Sequence, residues 1–226
     1  MSRAMNRLVS NNTSDGRTRI TSPRFTKAAT LLLATISVAT AAGCGAARPM
    51  QYYQLSVPTD MPQAEPSTSS ITLALGPLVT NHLYREDRIV YSSGAQQMGT
   101  YEYQRWTEPP AEMIHEVLLR ELRASGRYRE VANQRSGGHA DFVLRGQLYD
   151  FKEVSGSPLQ ARVTAEWELR DTKTGLVVWT HHYGHDETVN GKDVPAMVAA
   201  LDKNAQRAVS EVKAGLDQYF SSVANK

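Results

Sequence analysis

Few groups in this 226-residue chain could do chemistry of their own. Cys44 is the only cysteine, so no disulfide can close within the chain. Its thiol either accepts a covalent modification or is a small buried side chain, and its neighbours Gly43 and Gly45 lie outside any amphipathic pattern. His181, His182 and His185 invite a metal reading. On a strand, however, His181 and His185 share one face while His182 points to the other, and a zinc site wants three or four convergent ligands. A polar strand end is the expectation there, with no metal. Ser155-Gly156-Ser157 lacks the G-x-S-x-G spacing of a nucleophile elbow. Gly137-Gly138-His139 and Gly146 are turn and strand glycines without a phosphate-loop pattern. Glu166 and Glu168 alternate on the wet face of a strand. Trp106, Trp167 and Trp179 are expected as core anchors. With no nucleophile, acid/base pair or metal cluster in view, no enzyme and no cofactor are expected.

The segment ahead of Cys44 gives the thiol its context. Arg3, Arg7, Arg17, Arg19, Arg24 and Lys27 precede an apolar run from Ala28 to Ala42. Fifteen residues of helix reach roughly 22 Å, short of a hydrocarbon core of about 30 Å. The run is also broken by Thr30, Thr35, Ser37 and Thr40, so it reads as the apolar part of a signal segment. Ala41, Ala42 and Gly43 are small, as a signal peptidase requires. Ending on a cysteine, the stretch resembles a bacterial lipoprotein signal, with Ala41 where that pattern usually has Leu. The resemblance implies cleavage between Gly43 and Cys44. It also implies a diacylglycerol on the Cys44 sulfur and an acyl chain on the new N-terminus.

Removing residues 1–43 takes away six of the 25 Lys+Arg and one of the 23 Asp+Glu, which leaves a formal charge of −3. The basic balance of the whole chain therefore belongs to the leader, and nothing argues for a nucleic-acid partner. Residues 44–70 read as a lipidated N-terminus and tether. Within it lies an edge-strand candidate, Tyr52-Tyr53-Gln54-Leu55, followed by a stretch rich in proline and serine from Pro58 to Ser70. A domain of about 150 residues, 71–222, is enough for one core.

Within that domain, Ile71, Leu73 and Leu75 alternate as a strand that Gly76-Pro77 should end. Arg88–Tyr91 and Thr100–Trp106 read as a hairpin or two neighbouring strands, with a loop from Gly94 to Gly99 between them. Thr107 is placed to cap a helix with Pro109 and Pro110 in its first turn. Ile114, Val117, Leu118 and Leu122 form its apolar stripe, and Gly126 stops it. Phe142–Leu148, Ala161–Leu169 and Leu176–Trp179 read as an antiparallel meander, with a tight turn at Asp171–Gly175. A closing helix, capped by Asp193, carries a 3.6-residue stripe from Val194 through Leu201, Val212 and Leu216 to Tyr219. These elements predict a two-layer α+β domain: a mainly antiparallel sheet with two amphipathic helices on one face.

The order of several short stretches then carries a resemblance. They are Tyr52–Leu55 behind the cysteine, Leu75-Gly76-Pro77, Leu83–Val90, Tyr103–Trp106, Ala140–Gly146, Asp171–Trp179 and the closing helix. Together they resemble the ABC-type transport auxiliary lipoprotein family, which contains the paraquat-inducible C-type (PqiC-like) lipoproteins. One departure is Asn81, where the family often has proline. The resemblance implies a non-enzymatic partner of an ABC transporter permease and ATPase and of an MCE-domain protein in lipid transport between membranes. Gly45, in place of the aspartate that retains lipoproteins in the inner membrane of enterobacteria, points to the periplasmic leaflet of the outer membrane. Three alternatives stand beside it: an outer-membrane assembly lipoprotein that binds a barrel, a lipid-binding shuttle with an internal cavity, and a hydrolase. Assembly as a homo-oligomer is left open.

Overall fold

A computed structural model describes residues 48–57, 69–94, 96–136 and 138–224. The expected signal segment 1–43 lies outside the described residues. The strands are β1 (Gln51–Tyr53), β2 (Thr72–Thr80), β3 (Arg88–Ser92), β4 (Met98–Trp106), β5 (Glu130–Asn133), β6 (Phe142–Val154), β7 (Gln160–Asp171) and β8 (Val177–Thr188). Helix α1 (Pro110–Ala124) lies between β4 and β5, and α2 (Val194–Ala224) follows β8. The architecture is α+β, as the alternating and helical periods predict.

The sheet is mixed and is built around β6. Along one edge β6 pairs antiparallel with β7 from Phe142 to Val154. Along the other, its first half pairs parallel with β2 and its last three residues pair parallel with β3. The sheet therefore splits into two wings: β2 carries β5, and β3 carries β4 and β1. The two longest ladders, β6–β7 and β7–β8, are antiparallel. Four of the shorter pairings are parallel, because crossovers through α1 and the loops return the chain in the same direction.

Bulges make the strands longer than their alternation predicts. Gly76-Pro77 does not end β2. The register with β6 slips between Leu75 and Leu78, after which Leu78 and Thr80 face inward in place of the odd-numbered positions. In β6 a second slip lies between Leu148 and Asp150, so Leu144 and Leu148 point inward before it and Phe151 and Glu153 after it. A bulge adds one residue to one strand and shifts the phase of its side chains, so a strict period of two stops at the bulge while the ladder continues. Likewise Met98 and Gly99, expected in a loop, already belong to β4. Thr107 does not cap α1. Pro109 occupies the N-cap position without a side-chain bond, and the Thr107 N–H instead donates to the Tyr53 carbonyl at 2.8 Å, fastening β1.

The two helices cover one face of the sheet. The α1 stripe, Ile114, Val117, Leu118 and Leu122, is 1% exposed at each position. Gly126 ends the helix at φ +63°, and Gly175 turns between β7 and β8 at φ +73°. Helix α2 lies over β7 and β8, where Ala161, Val163, Ala165, Trp167 and Leu169 are all buried. Asp193 caps it, its Oδ1 accepting from the Ala196 N–H at 3.0 Å. Asn204, on the inward stripe of α2, is 0% exposed. Its Nδ2 donates to the carbonyls of Ala161 (2.9 Å) and His185 (2.8 Å), and its Oδ1 accepts from the Tyr183 hydroxyl. One side chain thus ties the helix to both strands beneath it. Burial pushes the Tyr183 phenol up to about 12, so it stays a donor.

The residues before the proline-rich stretch belong to this domain. β1 pairs with β4, Leu55 is 2% exposed, and Ser56 is held by α2: its N–H donates to Asp202 Oδ1 (2.9 Å) and its carbonyl accepts from Gln206 Nε2 (2.6 Å). Part of the 44–70 segment is therefore a strand of the sheet and a piece of the core.

Two substitutions test these points. In one row across three strands, Leu78 and Trp167 flank Gly146, and a Cβ there would sit 2.6 Å from Leu78 Cδ1 and 2.8 Å from Trp167 Cδ1. Gly146→Ala should cost about 1–3 kcal/mol by overpacking, read as a lower urea midpoint with an unchanged slope. Asn204→Ala strands buried carbonyls and should cost about 2–3 kcal/mol in the same measurement.

Candidate functional site

Cys44 and Gly43, the lipidation and cleavage positions, lie outside the described residues. The three histidines do not converge. The His181 ring stacks on Trp179 at 5.8 Å, with Nε2 3.5 Å from Glu211 of α2. His185 Nε2 contacts Arg207 at 2.5 Å, and His182 is exposed on the opposite face. Among the described residues no three His, Cys, Asp or Glu side chains are grouped to hold a metal ion. Ser155 donates to Glu153 Oε1 at 3.4 Å, and Glu166 accepts from the Tyr149 hydroxyl at 3.2 Å. Trp106 and Trp167 are core residues, Trp106 standing edge-to-face on Phe151. Trp179 is half-buried, its ring against Gly215 of α2.

The stretches that carry the resemblance meet in two places. The first is near the end of β6. Tyr84 is 0% exposed, and its hydroxyl donates to Asp150 Oδ1 at 3.3 Å; burial first, then the Asp150 charge, raises its pKa. Next to it Arg85 Nε donates to the Thr80 carbonyl (3.2 Å), Arg105 pairs with Asp87 (3.1 Å), and the Trp106 N–H donates to the Asp87 carbonyl (2.7 Å). Leu83–Val90 and Tyr103–Trp106 thus form one knot. Asn81, the departure from the family pattern, takes a structural part: its Oδ1 accepts from the Leu83 N–H at 3.1 Å and opens a 3-10 turn.

The second place is the start of β6. Asp141 Oδ2 accepts from the Thr72 N–H (2.8 Å), and the Thr172 hydroxyl bonds the carbonyls of Ala140 (2.6 Å) and Asp141 (2.9 Å). Asp171 holds the β7–β8 turn through the N–H groups of Thr174 and Lys173, which lower its pKa. These residues are an end-lock for the β2–β6–β7 ladder, with no reactive group aimed outward.

Two surface features could meet a partner. A cleft of about 540 Å³ lies between Leu55–Val57 and the first turns of α1, with His115 among its lining residues. Burial lowers the pKa of that imidazole, and Asn133 Nδ2 lies 3.4 Å from its Nε2. On the uncovered sheet face a smaller cleft of about 300 Å³ carries Val79, Tyr149, Arg145 and the carboxylates Glu166 and Glu168. The same face holds two ion pairs, Lys152–Asp150 along β6 at 2.5 Å and a bidentate Arg162–Asp186 between β7 and β8 at 2.7 and 2.6 Å. The buried Asn204 is missed by the sequence reading, and the signal that could have found it is a polar residue between Leu201 and Ala205 of an apolar helical stripe; the Arg162–Asp186 pair follows from strand register, which periodicity alone does not supply.

The model of the ABC-type transport auxiliary lipoprotein component matches residues 53–213, more than half of the chain. The chain belongs to this family. A crystal structure of a Xanthomonas campestris protein, of the family model DUF330, superposes with a TM-score of 0.68 at 17% identity. It covers 78% of this chain and 99% of that one. A crystal structure described as an uncharacterized protein gives 0.59 at 15% identity, covering 73% and 97%. At these identities the likeness shows the fold. No curated protein sequence matches the chain. The match makes the chain an auxiliary lipoprotein component of ABC-type transport in the cell envelope. Among the described residues no helix is long and apolar enough to cross a membrane.

The Arg162–Asp186 pair gives this family member a measurable acid dependence. The Arg162 guanidinium holds the Asp186 carboxyl below its ordinary value of 3.8. A lowered folded-state pKa contributes stability that is full above the unfolded value and is lost as pH falls through the folded one. The stability gap between the wild type and Arg162→Met should therefore be constant above about pH 5 and shrink below about pH 4 in urea titrations.

Proposed function

We propose that this protein is a non-enzymatic subunit of an intermembrane lipid-transport system. The acylated Cys44 anchors it in the periplasmic leaflet of the outer membrane, where the domain docks an MCE-domain protein that works with an ABC permease and ATPase. The observation that carries this reading is the family match over residues 53–213, directly behind a lone cysteine that ends a signal-like leader. Lipidation by two or more acyl chains is enough for stable anchoring, whereas a single chain binds marginally.

The geometry favours a docking role over a shuttle. An acyl chain between sheet and helices would have to displace side chains at 0% exposure, among them Leu144, Val163, Leu169, Leu201, Val212 and Leu216. The assembly-factor reading remains the second, distinguished by its partner. Crosslinking and affinity capture of the full lipidated chain from membranes, read by mass spectrometry, should recover an MCE-domain protein with its permease. Capture of an outer-membrane barrel without an MCE component would replace the transport reading by the assembly one. Cys44→Ser should move the protein from the membrane pellet to the soluble fraction. A variant that stays fully membrane-bound and acylated would overturn the anchor.

A further inference from the structure

The position of β1 decides how the domain stands relative to an anchor at Cys44. Between Cys44 and Arg48 lie four residue steps, which cannot span more than about 14 Å even fully extended. From Gln51 onward the chain is fixed to the domain: β1 pairs with β4, Leu55 is buried, and Ser56 is clamped by Asp202 and Gln206 of α2. The proline- and serine-rich stretch lies after this attachment and joins β1 to β2, so its length adds nothing to the distance from the anchor.

The surface at that attachment has the composition of a membrane-interface contact. Tyr52 is 62% exposed and Met50 is 43% exposed, two positions apart on the same extended stretch. Arg48 is exposed, and its guanidinium lies over the Tyr103 ring at 5.4 Å. Tyr52 stands beside Arg105 across the ladder. Single exposed apolar residues are ordinary on any protein. Here a tyrosine, a methionine and an arginine follow the anchor position within eight residues. Aromatic rings with a polar tip and arginines with a long apolar stem are the side chains that settle at the boundary between headgroups and acyl chains.

We infer that Arg48, Met50, Tyr52 and Tyr103 form a contact surface for the phospholipid bilayer, so that the domain lies with its β1–β4 edge on the membrane and presents α1, α2 and the far edge of the sheet to its partners. The inference rests on acylation of Cys44. It is tested in the full-length protein in native membranes, with the photocrosslinker p-benzoylphenylalanine at position 52 and, in a separate variant, at position 176. Leu176 is 65% exposed in the β7–β8 turn, at the opposite edge of the sheet. After irradiation, phospholipid adducts should be several-fold more abundant at position 52 than at position 176, on chains whose N-terminal peptide carries acyl mass. Equal labelling at the two positions on such chains overturns the orientation while leaving the anchor in place. An N-terminal peptide without acyl mass overturns both.

Discussion

The structure depends on one strand having to serve two neighbours along the same edge. β6 gives its first half to β2 and its last residues to β3, while β7 occupies its other side throughout. All remaining strands reach β6 through these three. β2 takes the edge groups of Phe142–Leu148 and β3 those of Lys152–Val154, so the two neighbours follow one another along the same edge. The bulge between Leu148 and Asp150 separates the two halves and rotates the second, which increases local twist and lets the sheet divide into wings. Gly146, just before the bulge, gives up its side chain so that Leu78 and Trp167 can meet over it.

The residues that mark the family are understandable as parts of this arrangement. Asp141 and Thr172 fix the start of β6, and Tyr84, Asp87 and Arg105 gather around its later half. Exposed ion pairs such as Arg88–Glu86 contribute about 0–1 kcal/mol each. The buried Asn204 network, whose partners have no water to replace it, matters several times more. The residues that carry the family resemblance therefore hold the domain's shape, which the proposed function by contact asks for.

A packed core and a short N-terminal lead fit such a function. The chain fills the space between helices and sheet with leucine, valine and tryptophan, each buried side chain contributing about 1.5–3 kcal/mol. Its surfaces are clefts and edges open to neighbours: the groove beside α1 and the polar, partly aromatic outer face of the sheet. In the proposed role, an adaptor held close to a bilayer gains a defined orientation, and orientation reduces the freedom that docking has to remove.

The sequence by itself determined the class of elements, their order and the family. Clean alternation in Ala161–Leu169 and the helical stripes of Ile114–Leu122 and Val194–Tyr219 each bury one face, and burial of that face is a local requirement written in periodicity. The lone Cys44 behind an apolar run is a feature of the sequence alone and lies outside the described residues. Tertiary structure decided the rest. β2 ran on through Gly76-Pro77, and β6 ran on past Leu148, because bulges shift the side-chain phase while the backbone ladder continues. β8 extended to Thr188 through His181, His182 and His185: Glu211 and Arg207 of α2 give the His181 and His185 rings polar neighbours that no local pattern records, while His182 is exposed on the other face. Tyr52 and Tyr53 read as an edge strand from the sequence, but that β4 supplies the edge and that Asp202 and Gln206 of α2 hold Ser56 were decided by the fold. Those partners lie about 150 positions away in sequence, a distance over which periodicity carries no information and only the folded chain brings groups together.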